Sequence, residues 1–146
     1  MKYPTEHQEQ VQVVDWLDHI AVKLWPDLAI VDGWAIDNSE YSLKRPQWRL
    51  PYFAQANGGK RHVITATLLK AEGVRAGIQD LVFMIPRGRY HGLVVEMKRI
   101  KHGKPSEKQR IWGEVMVKMG YHWEVCKGHE QAIDSITDYL NMGGWR

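Results

Sequence analysis

The sequence contains little cysteine and no long apolar run. Its 146 residues include one cysteine, Cys126, which cannot form an intramolecular disulfide and therefore excludes a disulfide-stabilised fold. No stretch approaches the roughly twenty apolar residues of a transmembrane helix. The first residues, from Met1 to Glu6, also lack the apolar core of a signal peptide. We therefore expect a cytoplasmic protein that makes no membrane contact.

Histidine pairs with the spacing of zinc ligands are missing as well. The chain has seven histidines, but no two of them lie three or four residues apart on one predicted helix. Together with the single cysteine, this spacing argues against a zinc site. The remaining composition, 44% hydrophobic and 25% charged residues, is typical of one globular domain, which we expect to span residues 1–146.

The charge is unevenly distributed along the chain. The formal net charge is only +3. Residues 60–110, however, contain 12 Lys and Arg against 4 Asp and Glu, so this segment carries +8 and the rest of the chain −5. A basic centre of this kind attracts a polyanion such as nucleic acid. A solvated surface explains the same charge equally well.

The N-terminal part predicts a long helix, then strands and a loop. Thr5 and Gln8 have the spacing of a capping box, and the helix is expected to run to about Trp25. Its apolar stripe, extended towards the N terminus, ends in Gln10 and Glu6. The pattern then predicts a strand over 28–36, a polar surface loop over 37–51 and a short extended segment over 52–56.

The C-terminal part predicts a β-hairpin inside an α/β fold. A helix over 63–72 precedes two strands, over 79–85 and 93–99, which a glycine-rich turn connects. A helix from Ser106 to about Met119, a strand over 121–127 and a helix over 130–140 follow. The hairpin strands are apolar on both faces, so they belong in the middle. The prediction is a mixed central β-sheet flanked by helices.

Three ionisable residues, Asp80, Glu96 and Lys98, interrupt the apolar hairpin strands. Burial of any one of them without a partner would cost several kcal/mol. Pairing Ile85 with Leu93 brings all three side chains to one face of the sheet. Such a cluster is either a structural salt-bridge network or a site in which the carboxylates hold Mg²⁺ and the lysine positions a water. The residues alone leave both interpretations open.

Three sequence blocks surround these residues. They read GVRAGIQDL (73–81), GLVVEMK (92–98) and SEKQRIW (106–112), followed by Gly120 and Tyr121. Together they resemble the virus-type replication-repair nuclease (VRR-NUC) family of the PD-(D/E)xK nuclease superfamily. The resemblance covers about residues 50–140 and, more loosely, the first helix. It is far more specific than the short D…ExK motif alone, and it implies a restriction-endonuclease-like core.

The resemblance also implies roles for the matching residues. Asp80, Glu96 and the backbone carbonyl of Met97 are expected to bind Mg²⁺, for which Mn²⁺ is expected to substitute. Lys98 is expected to position or activate the hydrolytic water and to offset charge that develops on the phosphate. Gln109 of the following helix is expected to face the active site.

The first helix is expected to contribute Glu6 to the metal site. This assignment has a structural alternative, because a carboxylate in the first turn of a helix is stabilised by the helix dipole, and Glu9 lies close enough in sequence to replace it. Gln109 has an alternative as well. It is the fourth residue of a capping box that begins at Ser106, and capping can account for its presence.

The chain departs from the family pattern in two places. Gln79 stands where the superfamily has a proline before the aspartate, a position that offers no metal ligand. Residues 32–48 look like an insertion, in which Trp34, Tyr41 and Trp48 are candidates for stacking on bases or for covering a partner subunit.

Nine basic residues are candidates for contacts with DNA phosphates, although exposed charges are commonly only solvated. They are Lys60, Arg61, Arg75, Arg87, Arg89, Arg99, Lys101, Lys104 and Lys108.

These observations lead us to expect a Mg²⁺-dependent endodeoxyribonuclease. The resemblance implies a homodimer that cuts branched DNA, especially four-way (Holliday) junctions, whose near two-fold symmetry matches two related active sites. Selectivity is expected to come from the shape of the junction, since no recognition helix or zinc finger is present. Two alternatives stay open: a monomeric nuclease for flaps or duplex DNA, and a basic DNA-binding module without catalysis.

Overall fold

The computed structural model describes residues 2–36, 44–55 and 63–144. The N-terminal helix comprises α1 (Glu6–Trp16), a π-helical turn (Leu17–Ala21) and α2 (Val22–Leu24). Thr5 precedes it, and both hydrogen bonds of the capping box between Thr5 and Gln8 are present. The predicted start of this helix is therefore confirmed, and its end lies one residue before the expected position.

The buried face of the first helix differs from the prediction. Glu9, Val13, Leu17 and Ala21 are buried, whereas Leu24 is 60% exposed. The buried residues are spaced by four, and the last interval, from Leu17 to Ala21, spans the π-helical turn, which is wider than an α-helical turn. The sequence pattern predicted that the stripe ends in Gln10 and Glu6, whereas the buried stripe ends at Glu9.

Two strands form a separate antiparallel ribbon. They are β1 (Ile30–Ile36) and β2 (Lys44–Arg49), and Arg49 joins the base of the ribbon to Asp18 (Nη1 to Oδ2, 2.5 Å). The prediction of a loop over 37–51 is therefore wrong for residues 44–49, while residues 37–43 lie outside the described ranges. Strand β2 is polar, so only its pairing with β1 identifies it as a strand.

The central sheet has the strand order β3 (Tyr52–Ala54), β4 (Leu81–Phe83), β5 (Leu93–Lys98) and β6 (His122–Lys127). The pairs β3–β4 and β4–β5 are antiparallel, and the pair β5–β6 is parallel. The helices are completed by α3 (Val63–Ala71), α4 (Glu107–Lys118) and α5 (His129–Leu140). The predicted mixed sheet, with the hairpin strands in the middle, is confirmed.

Helices cover both faces of the sheet. On one face, Val95 and Met97 of β5 pack in the core with Leu17 of the N-terminal helix and Ile136 of α5. On the other face, α4 approaches β6 so closely that a Cβ on Gly113 would lie 2.2 Å from the Trp123 ring. Within the described part of the chain, no helix is long and apolar enough to cross a membrane.

The hairpin register differs from the prediction by two residues. Phe83, and not Ile85, pairs with Leu93. The backbone of residues 84 and 85 is used elsewhere, because the Met84 N–H donates to Pro51 O (2.9 Å) and Ile85 O accepts from the Tyr139 hydroxyl (2.7 Å). A shift of two leaves the alternation of faces unchanged. Residues 80, 96 and 98 therefore still share one face.

Candidate active site

The two acidic residues of the hairpin meet at one end of the central sheet. Asp80 directly precedes β4, and the observed register, extended by one residue, sets it opposite Glu96 of β5. Asp80 Oδ2 accepts a hydrogen bond from the Met97 N–H (2.7 Å). At the start of β4, the Asp80 carboxylate therefore accepts the β5 N–H that a backbone carbonyl would accept in a regular ladder. This hydrogen bond holds the carboxylate against β5.

Glu96 is fully buried, at 0% exposure. Its Oε1 atom accepts a hydrogen bond from Gln109 Nε2 (2.6 Å) and lies 3.4 Å from Lys98 Nζ. Its Oε2 atom is buried without a hydrogen-bond partner among the residues that the structure describes. A buried polar atom without a partner costs about 1–3 kcal/mol, and more when the group is charged. The Asp80 and Glu96 side chains lie within hydrogen-bonding reach of each other, so the two carboxyl groups can share a proton, and a bound cation would take the place of that proton.

Burial and mutual repulsion disfavour the ionised forms of the two acids. Desolvation, with the nearby Asp80 charge as the next cause, raises the pKa of Glu96 to about 8. Desolvation also raises the pKa of Asp80, while the Met97 N–H and Lys98 oppose the rise. Two carboxylates that repel each other in a buried place attract a cation. Perturbed acids of this kind are enriched at functional sites.

Lys98 connects the acidic pair to the first helix. Its side chain is 8% exposed, and Nζ lies 3.4 Å from Glu96 Oε1 and 3.6 Å from Glu6 Oε1. Glu6 is the first residue of α1, and its side chain is 45% exposed. Glu6, which the resemblance implied as part of the metal site, forms an ion pair with Lys98 in the structure, and its contribution to metal binding stays a prediction.

Gln109 contacts both the helix terminus and the site. Its Oε1 atom accepts the Ser106 N–H (2.8 Å), which completes the capping box of α4, and its Nε2 atom donates to Glu96 (2.6 Å). The sequence had left capping and a contact with the site as alternatives. Because the side-chain amide has one acceptor and one donor group, Gln109 can cap α4 and bind Glu96 at the same time.

Glu9 contacts the start of α5 and makes no hydrogen bond to the acidic pair. It is 1% exposed, and its Oε2 atom accepts the His129 N–H (2.5 Å) and contacts His129 Nδ1 (2.6 Å). Of the two candidate glutamates on α1, Glu6 therefore faces Lys98, and Glu9 caps α5. Sequence reasoning missed this contact between residues 120 positions apart. The available signal was Gly128 at the N-cap of α5, a position without a capping side chain.

Gln79, the residue before Asp80, makes contacts that support the site. It is fully buried, its Nε2 atom donates to Gln109 O (3.0 Å), and its Oε1 atom accepts from Trp123 Nε1 (2.8 Å). The side chain thus connects the start of β4 with α4 and β6. Sequence reasoning had treated the departure from the family pattern at this position as neutral, because a supporting role depends on contacts between distant elements.

The candidate ligands for a cation are two carboxylates and one backbone carbonyl. Among the described residues, no group of three or more His, Cys, Asp or Glu side chains is arranged to hold a metal ion, so side chains alone do not complete a coordination shell here. The Met97 N–H points to Asp80, and the carbonyl of a strand residue points to the same edge as its N–H. Mg²⁺ takes oxygen ligands and keeps several waters, which suits this partial set.

The basic candidates separate into two groups by position. Arg75 precedes β4, and the others near the site follow β5 or begin α4, namely Arg99, Lys101, Lys104 and Lys108. Arg87 and Arg89 lie in the hairpin turn at the opposite end of the strands, and Arg87 donates to Leu140 O (3.1 Å) and Pro86 O (2.9 Å). Lys60 and Arg61 lie outside the described residues.

The insertion is described only in part. Trp48 on β2 is 53% exposed and pairs across the ribbon with Val31, which is 47% exposed. Tyr41 and the side chain of Trp34 lie outside the described part. An exposed apolar pair is therefore present on the ribbon.

Comparison with known proteins identifies the family to which the chain belongs. A VRR-NUC domain model matches residues 21–130, which is three quarters of the chain. A solved structure described as a VRR_NUC domain protein superposes with a TM-score of 0.71 at 24% identity, covering 100% of this chain and 96% of its own. No curated protein matches the sequence. The family model extends across the acidic pair, Lys98 and Gln109, and the chain therefore belongs to the VRR-NUC family of nucleases.

Proposed function

We propose that this protein is a Mg²⁺-dependent, structure-selective endodeoxyribonuclease with a PD-(D/E)xK core. The observation that carries the proposal is the buried Glu96 carboxylate, whose Oε2 atom has no N–H or O–H donor among the described residues and which lies beside a second, half-buried acid. A structural salt-bridge cluster would pair both oxygens with donors or cations, whereas the neighbour of Glu96 is a second acid with which it can share only a proton. A cation-binding site requires one of them to stay available.

The residues present fit a divalent cation. Asp80 and Glu96 would hold Mg²⁺ together with the Met97 carbonyl, and Mn²⁺ would fit the same oxygen ligands. When bound, such a cation polarises a phosphoryl oxygen and lowers the pKa of water. The charge of the cation would also reverse the raised pKa values of the two acids, since a nearby positive charge favours the ionised carboxylate.

The neighbouring side chains orient the acids and bring positive charge to the phosphate. Gln109 Nε2 holds Glu96 Oε1, which directs Oε2 away from α4. Lys98 Nζ donates hydrogen bonds to an attacking water and offsets negative charge that develops on the phosphate. Glu6 contacts Lys98 from the other side, so that the ammonium group is held between two carboxylates.

The substrate that these features support is branched DNA. The basic residues nearest the site, from Arg99 to Lys108, lie on the loop and helix start that follow β5, where they can contact phosphates on both sides of a cut. We further propose a homodimer that resolves four-way junctions, because two sites related by a dyad match the near two-fold symmetry of such a junction. The exposed Val31 and Trp48 pair supports an interface on the ribbon.

The experiment compares cleavage of end-labelled four-way junction, flap and linear duplex DNA with Mg²⁺, with Mn²⁺ and with EDTA. Wild type is compared with Glu96→Gln and with the matched control Glu124→Gln. Glu124 lies on the neighbouring strand β6, where its carboxylate pairs with the His122 ring (2.7 Å). Light scattering during size-exclusion chromatography gives the oligomeric state.

We expect symmetric cuts in the junction that require the divalent cation, disappear in Glu96→Gln and persist in Glu124→Gln. Cleavage of flaps or duplexes by a monomer would retain the nuclease and overturn the resolvase assignment. DNA binding without cleavage under both metals would overturn the nuclease and leave a DNA-binding module.

A further inference from the structure

A row of apolar side chains directly adjoins the acidic row on the same face of the central sheet. Asp80 and Glu96 form the acidic row. One step along the strands, the register pairs Phe53 with Val82 and Val82 with Val94. Because side chains two residues apart share a face, this second row points the same way as the acids and lies about 7 Å from them.

The apolar row forms the floor of an open groove of about 540 Å³. Trp112 and Met116 of α4 and Tyr121 before β6 form its walls. Small-molecule sites usually have volumes of roughly 300–1,000 Å³ and apolar or aromatic linings with a few polar groups. The groove therefore has the size and lining of a ligand site, and it opens beside the candidate cation site.

One polar side chain marks the boundary between the two rows. Gln55 lines the groove, and its backbone N–H donates to Asp80 O (3.0 Å), which sets Gln55 beside the aspartate at the edge of the sheet. Arg75 is also at the rim, but its guanidinium donates to the carbonyls of Lys70 and Val74 and closes the end of α3. Glu72, just after α3, lines the groove as well. The groove thus combines mostly apolar walls with three polar side chains, of which the Gln55 amide lies nearest the acids.

The chemistry of a nucleotide complements a cation site next to an apolar groove. Its phosphate is anionic and binds cations, and its base is flat, aromatic and edged with hydrogen-bonding groups. We propose that the groove binds one unpaired base of the cleaved DNA strand, adjacent to the phosphate held at the acidic row. This inference rests on the proposed nuclease function and assigns a substrate feature to it.

The bound base has to be unpaired. Bases inside a duplex are stacked on both faces and cannot enter a side groove without leaving the helix. Stacking of a free base on an aromatic side chain strengthens binding by about five- to 150-fold. The groove therefore favours DNA in which a nucleotide next to the cut is already unstacked, as at a branch point or a flap.

The test uses DNA whose cut position has first been mapped with the wild-type protein. Single abasic residues are then placed, one at a time, at the three positions on each side of the cut. We expect one position at which loss of the base lowers kcat/KM by about tenfold, with little effect at the other five.

Variants then locate this effect in the groove. Phe53 is 41% exposed on an edge strand, so Phe53→Ala is expected to stay folded. It should cleave the normal and abasic substrates at equal, lowered rates, whereas Phe53→Tyr, which keeps the ring, should restore the difference. Val117→Ala is the matched control, since Val117 is exposed on α4 (54%) and does not line the groove. Gln55→Ala serves as a second groove variant and should likewise reduce the difference between the normal and abasic substrates. Thermal melting tests whether each variant is folded.

The possible outcomes separate this inference from the proposed function. Equal cleavage of normal DNA and all six abasic substrates by wild type would overturn the base-binding groove and leave the nuclease intact. A tenfold difference that persists in Phe53→Ala and Gln55→Ala would also overturn it. Absence of cleavage of every substrate with Mg²⁺ and Mn²⁺ would overturn the proposed function, and the inference with it.

Discussion

Single residues of the candidate site combine structural and chemical roles. Gln109 completes the cap of α4 with one end of its amide and holds Glu96 with the other. Gln79 in turn holds the backbone carbonyl of Gln109. The position of the Glu96 carboxylate therefore depends on the correct start of a helix that is distant in sequence from the acid.

Ser106 and Gln109 allow the two roles to be separated. Ser106→Ala removes the capping hydroxyl and is expected to lower the free energy of unfolding by about 1 kcal/mol, with little change in cleavage rate. Gln109→Ala removes the cap contact and the hydrogen bond to Glu96, so we expect a similar loss of stability and a fall in kcat of at least about tenfold. Urea unfolding and single-turnover cleavage measure the two effects. Equal activity of both variants would limit Gln109 to capping.

The raised pKa of Glu96 predicts a pH dependence of stability in metal-free protein. Between the ordinary value of 4.5 and about 8, the folded protein retains a proton that the unfolded chain releases. Stability is therefore expected to fall as the pH rises through this interval. Glu96→Gln removes the titration, and the difference from wild type should reach the order of a few kcal/mol at pH 8. Urea unfolding in EDTA at several pH values gives the result, and parallel curves for the two proteins would contradict the prediction.

Contacts between elements determine how the first helix reaches the site. Glu6 and Glu9 are one turn apart on α1, but Glu6 pairs with Lys98 at the acidic row and Glu9 caps α5. Gly128, which precedes α5, donates its N–H to Lys98 O (2.9 Å). The two helix ends and the end of β5 thus form one connected unit beside the acids.

Substitution of the two glutamates is expected to have opposite consequences. Glu9→Ala leaves the N-terminus of α5 uncapped in a buried place and should lower the free energy of unfolding by about 2 kcal/mol. Glu6→Ala changes a half-exposed side chain and should cost less than about 1 kcal/mol, but it should reduce cleavage because Lys98 loses an ion-pair partner. Thermal unfolding and cleavage rates test both. A larger stability loss in Glu6→Ala than in Glu9→Ala would contradict this assignment.

On the scale of the whole molecule, the acids lie at one end of the central sheet, while exposed basic residues lie at both ends. Lys101 and Lys104 follow β5 at the end with the acids, while Arg89 and Lys118 lie towards the other end, in the hairpin turn and at the end of α4. All four side chains are exposed. DNA bound across the acids should therefore contact the first pair of residues and not the second.

This asymmetry predicts a difference in the salt dependence of DNA binding. In inactive Glu96→Gln protein, Lys101→Ala with Lys104→Ala should lower affinity for a four-way junction and reduce the slope of log K against log salt by about 2, since each lost phosphate contact contributes about 1. Arg89→Ala with Lys118→Ala removes the same charge from the other end and should leave the slope unchanged. Fluorescence anisotropy from 50 to 200 mM salt measures both slopes, and equal slopes would argue against binding at the acidic end.

Local patterns were sufficient for many of the elements and for the sharing of one face by the acids. The capping boxes at Thr5 and Ser106 placed two helix starts correctly, because capping depends on residues three positions apart. Alternation along the hairpin placed Asp80, Glu96 and Lys98 together even though the predicted register was shifted by two. A strand has a period of two, so an even error in register leaves every side chain on its face.

Only the tertiary structure decided the relations between distant segments. Three features depend on contacts between residues that no local pattern connects. They are the pairing of the polar strand β2 with β1, the burial of Glu9 against His129, and the contacts of Gln79 with Gln109 and Trp123. The sequence by itself determined which residues could carry the chemistry and on which face of the sheet they stand. The tertiary structure determined which glutamate of α1 reaches Lys98 and which oxygen of Glu96 lacks a donor, because the packing of α1 against β5 and α5 sets those distances, and no local period encodes them.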